Sequence, residues 1–291
     1  MKNIIYTCIF LMFFTSCKTL KVTGEILDNP PNVVPKIALS TDLNRNNWQH
    51  LDPINDSVPG MSVDKAYKEL IKDSEGKTVV VAVLDTGIDI KHEDLKGNIW
   101  VNKKEIPGNN VDDDKNGFID DVYGWNFLGD AYYEQLELTR LLAKGVDFPE
   151  KEEAQKDYDK RFTEARGEET LKYYLNYDFK GRTTGDDPDN FEEIYYGDNK
   201  VEHSREDESH GTHVAGIIAA ARNNNFGMKG VANNVEIMTL RVVPYGDEYD
   251  KDIALGIIYA ADNGADIINT SFGKGFSPHS DKVRDAIKYA A

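Results

Sequence analysis

Three residues could together move a proton: Asp85 in VAVLDTGID, His210 in SHGTHVAGIIAA, and Ser271 in INTSFG. An aspartate at a strand end can orient an imidazole and stabilise its charged form. A histidine can take a proton from a nucleophile near neutral pH, because its unperturbed pKa is about 6.5. His210 is followed three residues later by His213. A zinc site using both, with Asp85 as third ligand, is disfavoured. Gly211 and Thr212 separate the two histidines at a helix start, and the Glu of the zinc-protease motif is missing. His210 therefore reads as a base at a helix N-terminus and His213 as a packed helix residue. Gly211, Ala215, Gly216, Ala219 and Ala220 are small enough to let that helix lie close to a sheet.

A second cluster could hold a hard cation. VDDDKNGFIDD places Asp112, Asp114 and Asn116 at alternate positions before Gly117, with Asp120, Asp121 and the carbonyl of Phe118 able to close a cage. Ca2+ takes six to eight oxygens at about 2.3–2.6 Å, and one short acidic loop can supply several. The loop departs from the EF-hand pattern, because Tyr123 stands where the bidentate Glu belongs. We expect a structural Ca2+ here.

The elements that must position these groups alternate. Val79 to Leu84 is a continuous, mostly β-branched run, the pattern of a strand buried on both faces. VEIMTLRVV (235–243) and DIINTSFG (266–273) read as further strands. Helices are expected over YDKDIALGIIYAADNGA and from Ser280 onward, and Ser62 is placed to cap a short helix in SVDKAYKELIKD. Alternation of this kind implies βαβ units and a parallel sheet, with sites at the carboxyl ends of the strands. Residues 130–208 interrupt it. They hold 23 Asp or Glu against 12 Lys or Arg, net −11 of the chain's −17. Helices ending at Gly145 and Gly167 are expected there, the second opened by Asp147 and Glu150 as a capping box, with the charge forming a solvated face.

The chain has 291 residues, enough for one large domain. Its net charge of −17 argues against non-specific binding to nucleic acid or an anionic membrane surface. Both cysteines, Cys8 and Cys17, lie in MKNIIYTCIFLMFFTSCK, so the rest has no disulfide or thiolate site. Lys2 and the apolar run Ile4 to Phe14 form a signal-peptide pattern, too short to span a bilayer comfortably. Thr15-Ser16-Cys17 resembles the lipobox of bacterial lipoproteins, with Phe14 where that family usually has Leu. The resemblance implies cleavage before Cys17, a lipid anchor on it, and export to the cell envelope. Domain boundaries are read as a signal peptide (1–16), an extended Pro- and Asn-rich tether (17–60), and a domain (61–291) interrupted by 130–208.

VAVLDTGID, SHGTHVAGIIAA and INTSFG together resemble the subtilisin-like serine proteases over roughly Gly60 to Ala291. The resemblance implies an α/β, three-layer αβα domain with a parallel sheet, hydrolysing peptide bonds in protein or peptide substrates through a Ser-His-Asp triad. By motif position Asp85 is the orienting acid and His210 the general base. Ser271, Phe272 and Gly273 match the segment whose backbone pairs with an extended substrate, so Ser271 is not the nucleophile. Segments resembling A-A-G-N and G-T-S-M-A, which carry that family's oxyanion Asn and nucleophilic Ser, do not occur. The expectation is therefore a C-terminally truncated, secreted endopeptidase, inactive as it stands. A non-catalytic, calcium-stabilised, peptide-binding surface lipoprotein stays open as the alternative. The sequence following Ala291 discriminates the two.

Overall fold

The computed structural model describes residues 46–72, 76–202, 205 and 208–291. The expected signal peptide, Cys17 and most of the tether lie outside them. Among the described residues no helix is long and apolar enough to cross a membrane.

Four parallel strands form one sheet in the order β2-β3-β1-β4: β1 (Val79–Asp85), β2 (Gly124–Asn126), β3 (Val235–Arg241) and β4 (Ile267–Thr270). The helices are α1 (Val63–Ala66), α2 (Glu137–Ala143), α3 (Lys151–Glu164), α4 (His210–Ala219), α5 (Asp250–Asp262) and α6 (Ser280–Ala290).

Side chains of a strand alternate between faces, and β1 shows why its run is apolar throughout. Ala82 and Leu84 enter a core with Met238, Leu240, Ile253, Ile257 and Ala286, which puts α5 and α6 on one face. Val81 and Val83 enter a second core with Ile237, Ala215 and Ala219, which puts α4 on the other. Two helical layers thus enclose a parallel sheet, the α/β arrangement expected.

Buried Gly211, Ala215 and Ala219 recur every four residues, so one small-residue face of α4 meets the sheet. Gly216 is not part of that face: a Cβ there would meet nothing within 4 Å.

Several local expectations are corrected. Ser62 does not cap α1. It sits in the left-handed region (φ 59°), and its hydroxyl donates to Asp52 Oδ2 at 2.8 Å. The helix lasts one turn before widening into a π-helical turn over Tyr67–Ile71. The capping box at Asp147 and Glu150 does not form either: Glu150 makes no side-chain cap, and Asp147 is fully exposed beside Lys151.

Residues 46–60, the last part of the expected tether, fold onto the domain around a short 3-10 helix, Trp48–His50. His50 is buried, and its Nε2–H donates to the Lys229 carbonyl at 2.8 Å. Asn47 Oδ1 accepts from the Lys229 amide at 2.9 Å.

Residues 130–208, expected as an insertion, place Leu138, Ala154 and Leu175 in a small core against which Phe276, from the segment after β4, also packs. Their charges are not all solvated. Glu137 and Arg140 of α2 are buried and bonded to each other, and Lys274 Nζ donates to Glu137 Oε2 at 2.8 Å. Arg182 donates to both Asp186 and Asp252, and Lys251, wholly buried, donates to Asp186. Each of these ions is buried with a hydrogen-bonded counter-ion: Arg140 with Glu137 inside the same helix, the others with partners in α5, in the segment after β4 or within 130–208.

Candidate active site

β1 ends at Asp85, whose carboxylate is 1% exposed. The Thr86 amide donates to Asp85 Oδ1 at 2.7 Å, and the amides of Val242 and Val243 donate to the Asp85 carbonyl. Asp85 Oδ2 is buried without a hydrogen-bond partner. The aspartate is thus gripped through its main chain and one oxygen, and that oxygen also meets His210. The His210 Nδ1 lies 2.8 Å from Asp85 Oδ1. A carboxylate only accepts, so Nδ1 carries a proton, and in the neutral ring Nε2 presents a lone pair. The His210 side chain is 54% exposed, so this nitrogen's ring is open to a reactant.

Contacts of α4 with the turn after β1 fix this geometry. The Gly211 amide donates to Thr86 Oγ1 at 3.1 Å, and the Asp89 amide donates to Thr212 Oγ1 at 2.9 Å. A Cβ on Gly211 would lie 2.3 Å from the Gly87 carbonyl oxygen and 3.2 Å from Asp85 Oδ1, so only glycine permits this approach. His213, expected to pack, is instead exposed. It lies three residues from His210, so its Cβ direction is turned about 60° from that of His210 and away from the buried Gly211–Ala215–Ala219 face.

β4 pairs with β1 up to Leu84 opposite Thr270, so Ser271 leaves the sheet level with Asp85. Ser271 and Gly273 are exposed, while Phe272 packs against the core beside α5. Ser271 Oγ accepts from Asn269 Nδ2 at 2.9 Å. No serine among the described residues is hydrogen-bonded to His210. The arrangement can hold an imidazole in one tautomer, accept a proton at Nε2 and stabilise the resulting cation with a buried carboxylate.

The acidic loop brings Asp112 and Asp114 together with Glu105, a residue the sequence pattern did not flag. One oxygen of each lies within 4.8 Å of the others. Burial, with Asp121 and Asp114 nearby, pushes the Glu105 carboxyl up, against the pull of the Asp114 and Asp113 amides. Burial likewise pushes Asp121 up.

The other loop residues are tied into the protein. Asp121 accepts from Tyr259, Asn116 and Asn102. Asp120 accepts the amides of Gly108, Asn109 and Asn110. Asn116 Oδ1 accepts the Phe118 amide, and the Phe118 ring packs edge-on against Trp125 and Tyr259. Glu105 carried no sequence signal, because it precedes the run and reaches it only by accepting the Asp113, Asp114 and Asp120 amides.

Sequence reasoning also missed Arg241. It is buried and paired with Glu208 at 3.0 Å, two residues before His210.

Comparison with known proteins gives the family. The model of the subtilase family (Peptidase_S8) matches residues 76–291. The chain is similar to subtilisin-like protease 1 of Plasmodium berghei, 28% identical over 231 residues, covering 77% of this chain and 26% of that protein. A thermophilic serine proteinase of Bacillus sp. (strain AK1) is 46% identical over 83 residues, 28% of this chain and 20% of its own length. The cell wall-associated protease of Bacillus subtilis is 42% identical over 100 residues, 34% of this chain and 10% of its own. The chain thus spans about a quarter or less of the length of these relatives.

Proposed function

Because the chain belongs to the subtilase family, we propose that it carries the acid and base of a serine endopeptidase, with Asp85 orienting His210 and His210 acting as general base. The observation that carries this reading is the 2.8 Å contact from His210 Nδ1 to a carboxylate buried at a strand end. In the reaction a serine Oγ attacks the scissile carbonyl carbon while His210 Nε2 takes its proton. The imidazolium is stabilised by Asp85, and the proton then passes to the leaving amine as the peptide C–N bond breaks. Water hydrolyses the acyl-enzyme by the same route. We place the nucleophilic serine and the oxyanion asparagine in sequence outside these 291 residues, which agrees with the short span shared with the relatives. The substrate is a protein or peptide, bound as an added strand along Ser271, Phe272 and Gly273.

Loop 111–121 is proposed to hold a structural Ca2+, with Asp112, Asp114 and Glu105 as its grouped carboxylates. Asn116, Asp120, Asp121 and the Phe118 backbone shape the loop around them. The ion would neutralise crowded carboxylates that burial already disfavours as anions. Residues 1–16 would direct export, with Cys17 the lipid-bearing residue.

The test is His210→Ala in the full-length protein, assayed on a generic protein substrate. We expect cleavage to fall by about 10^4-fold or more. Activity at the wild-type level would refute the assignment of the base, and a full-length protein inactive before mutation would favour peptide binding without catalysis.

A further inference from the structure

Arg241 is one of the largest fully buried side chains, and a buried cation needs an explanation. Its guanidinium is fully used. Nε donates to the Thr86 carbonyl at 2.9 Å, one nitrogen donates to Asn126 Oδ1 at 3.3 Å and the Gly129 carbonyl at 3.0 Å, and the other donates to the Ala131 carbonyl at 2.8 Å and to Glu208 Oε1 at 3.0 Å. The partners come from four places: the turn just after Asp85, the end of β2, the chain entering the insertion at Gly129 and Ala131, and the residue two before His210. In the ladder Arg241 is the register partner of Asp85 itself. One planar group therefore reaches the segments carrying the acid and the base, together with both roots of the insertion. A lysine could not do this, because a single ammonium cannot fork to acceptors on opposite sides.

We propose that Arg241, through its buried pair with Glu208, is a positioning residue that sets the His210–Asp85 geometry and seats the insertion against it. It touches neither reacting group, acting instead through the Thr86 carbonyl and Glu208. The proposal rests on the protease reading only where turnover is measured, because the His210–Asp85 hydrogen bond can be observed without catalysis.

The experiment uses the full-length protein with 15N-labelled histidine, its His210 signals assigned by their loss in His210→Ala. Removing one ion alone strands the other and could unfold the domain. The informative variants are therefore Glu208→Gln, which keeps a hydrogen-bonding oxygen, Arg241→Lys, which keeps the charge, and the double variant Arg241→Met/Glu208→Leu, which removes both ions. In every variant that circular dichroism shows to be folded, we expect the downfield Nδ1–H signal of His210 to broaden or vanish. We expect kcat on a peptide substrate to drop by about 10- to 100-fold with KM within about 2-fold, the mark of a displaced base rather than a lost binding contact. Arg241→Lys should not rescue kcat. A folded double variant that keeps both the wild-type Nδ1–H signal and wild-type kcat would overturn the proposal. A lost signal in a protein without protease activity would leave the positioning role standing while removing the reading it serves.

Discussion

Two glycines in one helix should respond in opposite directions to the same substitution. Gly211 and Gly216 both lie in α4. Alanine is favoured over glycine inside a helix by about 1 kcal/mol, so helix propensity alone predicts a gain at each. At Gly216 nothing lies within 4 Å of the new Cβ, and that gain should appear as a rise in Tm of about 2–4 °C, the shift expected per kcal/mol for a domain of this size. At Gly211 the Cβ would sit 2.3 Å from the Gly87 carbonyl oxygen, about 1 Å inside contact distance, and the obstacle is backbone. Overpacking of this kind costs about 1–3 kcal/mol. It exceeds the propensity gain, which is smaller in a first turn. The helix start must back away from the turn after Asp85 by a comparable distance. We therefore expect Gly211→Ala to lower Tm by about 2–6 °C. Activity of the full-length protein should fall by about 100-fold, because a 1 Å misplacement of a catalytic group costs that order. Differential scanning calorimetry and peptide hydrolysis read the two quantities. If Gly211→Ala raises Tm as Gly216→Ala does, the close approach of α4 to the turn is not what fixes His210.

Asp85→Asn should separate activity from stability. Thr86 donates its amide to the oxygen that also meets His210, so an asparagine must keep its carbonyl there. What is lost is the charge that stabilises the imidazolium. We expect kcat to fall by about 10^3–10^4-fold, with Tm little changed, since the unpartnered buried anionic oxygen is exchanged for an unpartnered amide NH2, a neutral group that costs less to bury. A large drop in Tm would refute this. Chelation with EDTA should lower Tm and added Ca2+ restore it, and no shift would rule out the loop site. At low pH the ion pairs of Asp186 at the seam of the insertion should outlast those of an ordinary carboxylate. Burial pushes Asp186 up, but hydrogen bonds from Arg182, Lys251 and Thr184 outweigh it and hold the carboxyl at about 2, below its ordinary 3.8. A depressed folded pKa stabilises above the unfolded value and is lost as pH falls through the folded one. The Asp186 contribution should persist to about pH 4 and disappear towards pH 2. Asp186→Asn should flatten the Tm–pH curve across that window, and an unchanged curve would count against the pair.

The parts of the fold that could be read from sequence are those where one environment governs a whole segment. Val79 to Leu84 is apolar at every position because each face of β1 meets a helical layer, and that left a continuous signature. Asp85 and His210 were legible because each closes such a segment, one at a strand end and one at a helix start. What could not be read depends on single long-range partners. Ser62 has the right type and place for a cap, yet Asp52 takes its hydroxyl. Arg241 sits inside a strand run and gives no periodic signal, since its partners lie 33 to 155 residues away. Glu105 belongs to the acidic loop only through backbone amides eight or more residues downstream.

The insertion shows how a correct charge count can still misplace the charges. Its net −11 suggested a solvated face, and α3 fits that reading, with Ala154 its one buried residue. The ion network at its seam does not change the sum. The insertion contributes Glu137 and Asp186 as anions and Arg140 and Arg182 as cations, and α5 and the segment after β4 add Asp252, Lys251 and Lys274. The insertion's own share, two anions and two cations, is balanced and therefore invisible to its net charge, however deeply it is buried. Its effect on stability is nevertheless one-sided. Lys251 is wholly buried and bonds to Asp186 and the Asp187 carbonyl, and Lys274 bonds to Glu137, Asp250 and the Glu248 carbonyl. Stripping away the insertion would leave Lys251 without both of those acceptors and Asp252 without the Arg182 fork. With the insertion in place, removing the Asp186 carboxylate alone would strand Lys251 at a cost of about 3–5 kcal/mol. The insertion is therefore bound into the domain that carries Asp85 and His210, and its removal should destabilise that domain even though most of its surface is solvated.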